Sequence, residues 1–508
     1  MLLSQDSGLA HGSRVQIPPA AHSVSLDDSH GPAVESSTES IPVHPLGVKP
    51  LGNQFFASAP SARQAIGSFG SLPDEMILQL LEYLGKESLR SLGSTSRFLY
   101  AFCQLDELWK PLFLEAPTGD AGLLPWKGSW RSTVLQLPKE SAPKLDCSNV
   151  FSDVLHRPFA CSHIVLKNYV SGIPRANQMK RLSSLSHEDF LNHWSEKPFI
   201  LTDYVKQWPV FRDWTIAKLN KAYANVEFRA EAVDWPFSMY HTYMQNSDDE
   251  SPLYLFDRKF AEKMSIKVGQ EDGGAYWPPE CFGEDVFHLL GQERPAHRWL
   301  IVGPERSGST FHKDPNATSA WNAVLEGSKY WLMFPPSVPQ PPGVFVSEDS
   351  SEVTSPLSIA EYLLTFHAEA REEAGCIEGI CREGELLYVP SGWWHLVINL
   401  EAGIALTQNF VTNSKKHLAH VLSFLKDKPD QVTGFSRDIT SPYELFVERL
   451  REKQPDLLEV ALEEMDRRNG GKKRRWEEAV GAKEEAQSEA GGFSFGFGGD
   501  DLDDEEIP

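Results

Sequence analysis

The sequence is poor in cysteine. It holds six cysteines in 508 residues. At this length, and without a secretory signal, free thiols in a reducing compartment are expected rather than a disulfide framework. Cys376 and Cys381 lie close together in sequence, but no second Cys or His pair accompanies them. A zinc site at these two residues is therefore disfavoured.

The chain also lacks the signals of export and membrane insertion. Its first residues, MLLSQDSGLAHGS, hold no basic stretch followed by an apolar run and a small-residue cleavage site. No uninterrupted apolar segment approaches the ~18 residues that are needed to span a bilayer. We therefore expect an intracellular, soluble protein without a membrane partner.

Basic residues are the minority among the charged ones. The chain has 48 Lys and Arg against 71 Asp and Glu, and its formal net charge is −23. This excess argues against non-specific binding of nucleic acid, because like charges repel at long range. From Glu477 onward there are eleven acidic residues and one lysine. Such a tail either attracts a basic substrate or keeps the chain soluble, and composition leaves both readings open.

The length predicts more than one folded unit, because a single domain usually holds roughly 100 to 200 residues. Residues 1–70 are rich in Ser, Pro, Gly and His with little periodic hydrophobicity. Such a segment cannot bury enough apolar area to offset the entropy of ordering, so we expect it to be disordered.

Residues 71–115 carry apolar side chains at helical spacing, with Met76, Leu80, Leu81 and Leu84 on one predicted stripe. Three short helices are expected. The order Leu72-Pro73, Glu75, the leucine stripe, Ser96-Arg97 and Leu108-Trp109 resembles an F-box. The resemblance implies that the unit binds a Skp-type adaptor of a cullin ubiquitin ligase. The alternative is a small helical bundle that packs on the rest of the chain.

After a connector over 116–160, a long region over 161–425 alternates strands with turns. Several short segments rich in β-branched and aromatic residues are bounded by Gly or Pro, and they favour a barrel or jelly roll. They are RWLIVGP, SAWNAVLEGSKYWLMFPP, GELLYVPSGWWHLVINL and GIALTQNFV. The segment SIAEYLLTFHAEAREEAG is predicted to form one amphipathic helix among them.

The C-terminal part of the chain is predicted to be helical up to residue 468, with C-terminal helices over 426–468. Such helices either cover a face of the sheet or pair with a second copy as a homodimer, and the sequence leaves this open. Arg467-Arg468 and the basic run over 472–475 resemble a nuclear import signal. We therefore expect the protein in the nucleus, with the cytoplasm as a second location. Residues 469–508 form a predicted disordered acidic tail.

The segment SGSTFHKDP holds two candidate metal ligands, His312 and Asp314. Alternate residues of a strand face the same side, so these two side chains are expected to point together. His395 follows a Pro-Ser-Gly turn and is available as a third ligand. Two histidines and one carboxylate leave coordination positions open, which suits a non-haem Fe(II) oxygenase with a 2-oxo acid and O2. Structural zinc normally has four protein ligands.

Lys329 is the candidate for holding a second carboxylate of such a cosubstrate. A lysine at the wall of a barrel supplies a point charge, whose desolvation is offset only when an anion arrives. The alternative is a surface lysine beside the Glu-Gly-Ser turn that precedes it.

Residues 187–412 resemble the Jumonji-C (JmjC) branch of oxygenases that includes the bifunctional arginine demethylase and lysyl-hydroxylase family. The matching blocks are KPFILT, DDESPLYLFD, GPERSGSTFHKDP, TSAWNAVLEGSKYWLMFP, VPSGWWHLVINL and IALTQNF. The resemblance implies a mixed, mainly-β fold: a double-stranded β-helix (a jelly roll or cupin-like barrel), with the small α-helical F-box before it and α-helices after it. The barrel core is expected at about 187–412.

Position by position, the resemblance implies that His312, Asp314 and His395 bind Fe(II) and that Lys329 pairs with 2-oxoglutarate. Two further residues match 2-oxoglutarate contacts of the family, and a third keeps a hydroxyl where the family commonly has threonine. These residues are Asn322, Thr407 and Ser309. Asn399 and Asn409 also match, with functional and purely structural roles both open.

The resemblance implies an Fe(II)-, 2-oxoglutarate- and O2-dependent oxygenase acting on a protein. A histone or another basic protein rich in lysine and arginine would fit. Hydroxylation of a stable carbon and removal of an N-methyl group both remain open. One alternative is a non-catalytic F-box substrate receptor whose barrel recognises a target, and another is a cupin of different chemistry that holds zinc or nickel.

Overall fold

The computed structural model describes residues 41–115, 124–137, 145–270 and 272–468. The strands, in chain order, are β1 (Lys180–Leu182), β2 (Phe199–Leu201), β3 (Glu227–Ala230), β4 (Val233–Pro236), β5 (Leu255–Asp257), β6 (Arg298–Gly303), β7 (Gly308–His312), β8 (Ser319–Glu326), β9 (Ser328–Phe334), β10 (Phe345–Val346), β11 (Val353–Thr354), β12 (Ile377–Arg382), β13 (Leu386–Val389), β14 (Trp394–Asn399) and β15 (Gly403–Phe410).

The α-helices lie before, between and after these strands. They are α1 (Asp74–Glu82), α2 (Lys86–Gly93), α3 (Arg97–Cys103), α4 (Trp109–Leu114), α5 (Trp130–Val134), α6 (Asp153–Ser162), α7 (Lys167–Val170), α8 (His187–Asp189), α9 (Pro209–Asp213), α10 (Ile216–Tyr223), α11 (Phe237–Gln245), α12 (Phe260–Lys263), α13 (Ile359–Thr365), α14 (His367–Glu372), α15 (Lys415–Asp427) and α16 (Pro442–Lys453). Residues 455–468 are also helical.

Two facing sheets build the barrel. The larger one has the order β1-β2-β13-β8-β15-β6-β5-β3-β4, and the smaller one has the order β12-β9-β14-β7. Successive strands alternate between the two sheets over β6 to β9 and again over β12 to β15. This alternation is typical of a jelly roll. The predicted double-stranded β-helix is confirmed. Strands β8 and β14 are buried along almost their whole length, which explains their nearly continuous apolar sequence.

The F-box unit has four helices, α1 to α4, with a 3-10 turn over Asp106–Leu108, instead of the three helices expected. Ile77 and Leu81 form the buried face of α1, whereas Met76 and Leu80 are exposed. The predicted single stripe through Met76, Leu80 and Leu81 is therefore wrong. Five consecutive residues over 76–80 include four apolar ones, so spacing alone does not identify the face that packs.

The F-box unit shares one apolar core with the barrel side of the molecule. The ring of Phe113 lies 5.4 Å from that of Trp130 and 5.8 Å from that of Trp235. Trp130 also lies 6.1 Å from Tyr243. Aromatic rings at such separations add to the stabilisation that their buried area already gives. The unit is thus held against the barrel side of the molecule by packing.

Several segments that were expected to be irregular have regular structure. Residues 41–70, assigned to the disordered N-terminal segment, contain 3-10 turns over Leu51–Phe56 and Ala62–Ser71. The predicted connector contains α5 and the start of α6. The single helix expected over 358–375 is two helices, α13 and α14, interrupted at Phe366. The domain boundaries themselves stay predictions.

The C-terminal helices pack on their own chain. Leu418, Leu422 and Phe446 belong to one buried cluster with Val286 and Phe287, which favours the covering role over pairing for this face. The homodimer stays a prediction. The basic run over 472–475 and the acidic tail lie outside the described residues, and nuclear localisation remains an expectation.

All six cysteines are buried and unbridged, in agreement with the expected free thiols. No helix in the described part of the chain combines the length and apolarity that a bilayer span requires.

Candidate active site

Strands β7 and β14 bring two of the predicted ligands together. They run antiparallel, with His312 and His395 as partners in the register, and the two imidazole centroids lie 4.1 Å apart. Gly308 permits this approach, because a Cβ at this position would lie 2.0 Å from the carbonyl oxygen of Val397. Local backbone packing therefore positions both histidines.

The hydrogen bonds of the two imidazoles define their tautomers. Nδ1 of His312 lies 2.7 Å from the Thr310 carbonyl oxygen, and Nδ1 of His395 lies 3.1 Å from that of Trp393. A carbonyl only accepts, so each Nδ1 carries a proton, and in the neutral form of each imidazole Nε2 is the nitrogen with the lone pair. Metal-binding histidines are usually oriented by such a bond from the other ring nitrogen. Burial, with His312 nearby, lowers the pKa of His395 well below its usual range, which keeps it neutral.

Asp314 lies just beyond the end of β7 and not within the strand, so strand alternation alone does not explain its orientation. Its Oδ1 accepts a hydrogen bond of 3.1 Å from Nδ2 of Asn409. Its Oδ2 is buried and has no partner among the described residues. Burial raises the pKa of this carboxyl group, while His312 and Asn409 act in the opposite direction. A bare, buried carboxylate oxygen is costly unless a cation compensates it.

One small cavity of about 60 Å³ lies between the two sheets. Six of the seven predicted site residues line it: Ser309, His312, Asp314, Asn322, His395 and Thr407. No group of three His, Cys, Asp or Glu side chains in the described ranges has the spacing of a preformed metal site. The case for a cation here therefore rests on the kind of atoms that line the cavity. They are two imidazole Nε2 atoms and one carboxylate oxygen, Oδ2 of Asp314, that has no partner among the described residues.

Lys329, the seventh residue, is 2% exposed on β9. Its Nζ donates to the Tyr254 hydroxyl at 2.7 Å and to Oδ1 of Asn399 at 2.6 Å. Burial lowers the pKa of this ammonium group to about 7. None of the ion pairs among the described residues involves Lys329, so its partners are neutral. The surface-lysine alternative is excluded, and a carboxylate of a diacid would supply the missing countercharge.

The larger sheet supplies the remaining polar groups. Asn322 on β8 and Thr407 on β15 are partners in the register. The Asn322 Oδ1 atom is buried without a partner in the described structure, whereas the Thr407 hydroxyl donates to the Trp321 carbonyl oxygen at 2.8 Å. Ser309 lines both this cavity and a second one, which His312 also lines.

The structure adds residues that the sequence analysis did not assign. Tyr254 lines the cavity and accepts the hydrogen bond from Lys329. It lies in the block DDESPLYLFD, one of those that carry the resemblance to the JmjC branch. Asn399 and Asn409, left open between functional and structural roles, hold Lys329 and Asp314 respectively. They act on the site through those two side chains.

Two family models match the chain. One describes a cupin-like domain and covers residues 187–416, and the other describes an F-box-like domain and covers residues 69–115.

Named relatives extend the match. The chain is 37% identical over 463 residues to the arginine-specific demethylase JMJ22 of Arabidopsis thaliana, covering 88% of each chain. It is 35% identical over 294 residues to the bifunctional arginine demethylase and lysyl-hydroxylase psr-1 of Caenorhabditis elegans, covering 55% of this chain and 69% of the relative. It is 31% identical over 136 residues to the 2-oxoglutarate and iron-dependent oxygenase JMJD4 of Danio rerio, covering 27% and 31%.

Proposed function

The chain belongs to the JmjC group of cupin-like oxygenases, which use Fe(II), 2-oxoglutarate and O2, and we propose that it oxidises arginine or lysine side chains of proteins. Two of the similar proteins carry names that specify arginine demethylation, and one of these also specifies lysyl hydroxylation. The observation that carries the cosubstrate part of the proposal is the buried Lys329 on β9, the strand that pairs with β14 of His395. An ammonium group with only neutral partners is suited to receive an acidic cosubstrate.

We assign iron binding to His312, Asp314 and His395. When bound, iron, 2-oxoglutarate and O2 together supply the oxidant that inserts one oxygen atom into a substrate C–H bond. The backbone carbonyls of Thr310 and Trp393 keep the Nε2 atoms of both imidazoles free for the metal. Three protein donors leave open positions for the cosubstrate and O2.

The remaining polar residues are assigned to 2-oxoglutarate. The Lys329 ammonium group would pair with one carboxylate of 2-oxoglutarate, and Tyr254 and Asn399 hold that ammonium group in place. Asn322 and Thr407 approach from the opposite sheet, and Ser309 contributes a hydroxyl from β7. Apolar residues such as Ile301, Val389 and Val397 line the same cavity, and polar contacts are stronger in surroundings of low dielectric constant.

The same site serves two outcomes. Oxygen insertion at a side-chain carbon gives a stable alcohol. Insertion at an N-methyl group gives an unstable hemiaminal, which releases formaldehyde and leaves the amine without that methyl group. The substrate that enters, and not a change of the metal site, therefore decides between hydroxylation and demethylation.

Mass spectrometry tests this assignment. The full chain with Fe(II), 2-oxoglutarate and ascorbate is incubated with peptides that contain lysine, arginine or methylated arginine. The expected result is a gain of one oxygen or a loss of one methyl group in the wild type, and no change with His312→Ala. Modification of other residue types alone would contradict the proposed substrate class, and equal modification by both proteins would contradict the assigned ligand.

We also propose that the F-box unit binds a Skp-type adaptor. The supporting observation is an apolar face on α1 and its C-cap that is turned to solvent. Met76 is 49% exposed, Leu80 47% and Tyr83 88%. These three residues follow helical spacing of four and three positions, so they share one face. Contiguous exposed apolar groups of this kind usually mark a protein interface.

A further inference from the structure

A cleft separates the F-box helices from the mouth of the barrel. It encloses about 560 Å³ and lies between residues 101–110, 155–163 and 248–251. This is within the range of roughly 300 to 1,000 Å³ that is usual for ligand sites. We call it the acidic cleft, because its walls include five carboxylates: Asp106, Glu107, Asp248, Asp249 and Glu250.

The acidic cleft is continuous with the candidate active site. Glu250, Ser251 and Leu357 line both the cleft and a second cavity of about 420 Å³. This second cavity is also lined by Ser309 and His312, which in turn line the cavity with the candidate ligands. A path of concave surface therefore runs from the F-box helices to the imidazole of His312.

The charge of the acidic cleft is only partly compensated. Glu250 pairs with Arg157, and the other basic wall residue is Lys110. His44 adds no positive charge at neutral pH, because burial and the neighbouring His156 and His163 lower its pKa to about 4. The second cavity adds Glu231 and Arg306, which balance each other in formal charge. The cleft as a whole is negative.

The carboxylates of the acidic cleft also repel one another, which destabilises their ionised forms. Burial is the main cause that raises the pKa of Asp106 to about 7, and repulsion by Asp249 and Glu107 adds to it, although backbone N–H groups of Trp130 and Arg131 oppose the shift. A cationic group bound in the cleft would relieve this repulsion. The charge thus favours a basic occupant and disfavours nucleic acid.

Apolar surface accompanies the charge. Leu357, at the junction of the two cavities, is 77% exposed, and Leu105, Leu155 and Phe159 contribute to the walls of the cleft. Lysine and arginine side chains bury their aliphatic stems on apolar surface while their charged ends reach polar groups. The combination of carboxylates and aliphatic surface suits such side chains.

We propose that the acidic cleft binds the flanking segment of a lysine- and arginine-rich polypeptide whose target residue reaches His312, so that the F-box helices form one wall of the oxygenase substrate site. This inference rests on the proposed function. The exposed residues Met76, Leu80 and Tyr83 do not line the cleft. The F-box unit can therefore contact an adaptor and a substrate through different residues.

The test measures binding of a fluorescein-labelled peptide of alternating Gly-Lys and Ser-Arg units to the full chain. The protein carries Mn(II) and 2-oxoglutarate, so that binding is observed without turnover. Glu107 and Asp248 are exposed in the cleft wall, and the double variant Glu107→Lys/Asp248→Lys reverses two charges there. We expect about a tenfold higher Kd for this variant at low salt.

The matched control is Glu352→Lys/Glu459→Lys, which reverses two exposed charges that do not line the cleft. It should bind the peptide as the wild type does. A milder pair, Glu107→Gln/Asp248→Asn, should weaken binding in the same direction by a smaller factor. With Fe(II), the cleft variants should raise the KM for the peptide and leave kcat at saturating peptide near that of the wild type.

The possible failures are distinguishable. If the wild type oxidises the basic peptide but both cleft variants bind it as tightly as the control variant, the cleft inference is wrong and the proposed function stands. Equal binding of a counterpart peptide in which Glu replaces every Lys and Arg would also overturn the inference. If the basic peptide binds in a cleft-dependent way but its lysine and arginine residues are never modified, the proposed function fails and the inference, which rests on it, is overturned as well.

Discussion

The barrel cavity and the F-box unit use polar and apolar side chains in opposite ways. In the barrel, Oδ2 of Asp314 and Oδ1 of Asn322 are buried without a partner among the described residues, the buried Lys329 has only neutral partners, and apolar residues contribute to the walls. On α1 of the F-box unit, the apolar side chains of Met76 and Leu80 are exposed to solvent. Buried polar atoms without a hydrogen-bond partner indicate a site for a small ligand. Apolar side chains exposed on the surface indicate an interface with a protein partner.

The largest effect is expected from loss of a candidate metal ligand, which should affect the barrel and leave the F-box unit unchanged. His312→Ala should reduce succinate formation from 2-oxoglutarate by more than about a hundredfold, the upper range seen when a residue that merely supports a metal ligand is lost. Adaptor binding should be unchanged, because Met76, Leu80 and Tyr83 line neither of the cavities that His312 lines. Equal succinate formation in wild type and variant, measured with added Fe(II), would remove His312 from the metal site.

The next effect concerns the cosubstrate anchor. Lys329→Met keeps the length of the side chain but removes the charge, so a carboxylate of 2-oxoglutarate would lose its partner. We expect the KM for 2-oxoglutarate to rise by about a hundredfold, in keeping with the cost of an unpaired buried charge. Bound metal, measured in the same preparation, should be retained and serves as the internal control. An unchanged KM would contradict the anchoring role.

The variant Leu80→Asp tests whether the exposed apolar face of α1 binds the adaptor. A charge on the exposed face of α1 should weaken binding of a purified Skp-type adaptor by about thirtyfold, as expected for an apolar contact in an interface. Leu364→Asp is a matched control, since Leu364 is 46% exposed on α13. Equal adaptor binding by the two variants would count against this face, and intact succinate formation in both would show that the barrel is undisturbed.

A smaller effect is expected from the residues that hold the ligands. Asn409→Ala removes the hydrogen bond to Oδ1 of Asp314 and should weaken Mn(II) binding by about tenfold. Asn399→Ala removes the contact to Lys329 instead, so it should affect 2-oxoglutarate affinity more than metal affinity. Titration of both ligands into both variants tests this difference. The reverse pattern would contradict the assigned roles.

The smallest predicted effect is one of pH. Burial lowers the pKa of Lys329 to about 7, so above this pH the free protein holds a neutral amine that must take up a proton when the cosubstrate binds. Affinity for 2-oxoglutarate should thus be nearly constant below about pH 6 and fall about eightfold between roughly pH 6.5 and 8. Calorimetry of the metal-loaded protein in two buffers of different ionisation enthalpy measures the proton uptake. It should vanish in Lys329→Met.

The comparison also shows how far sequence reasoning reaches. The short spacing of His312 and Asp314 identified both as candidate ligands, but Asp314 lies beyond the end of β7, so strand alternation did not predict its orientation. Lys329 was predictable as a charged residue in an otherwise apolar strand. Tyr254 was not, because its contact with Lys329 joins residues 75 positions apart and depends on how the two sheets face each other. In the F-box unit, helical spacing predicted helices, but the buried face of α1 is selected by packing in the apolar core, to which Ile77 and Leu81 belong.

Regular structure over 41–70 was missed for a related reason. Its 3-10 turns have no sustained apolar period, and the segment is held by contacts with a remote part of the chain. Lys49 and Phe151 form a β-bridge, and the amide of Leu51 donates to the Asp153 carboxylate at 2.9 Å. Contacts of this kind leave no local signal in composition.

The most direct test of the barrel chemistry is the visible absorption band that forms when Fe(II) and a chelating 2-oxo acid meet under anaerobic conditions. The wild type should show the band. His395→Ala should lose it, whereas His367→Ala, which replaces another buried histidine hydrogen-bonded to Tyr330, should retain it. A band of equal intensity in the wild type and His395→Ala would contradict iron binding by the two facing imidazoles.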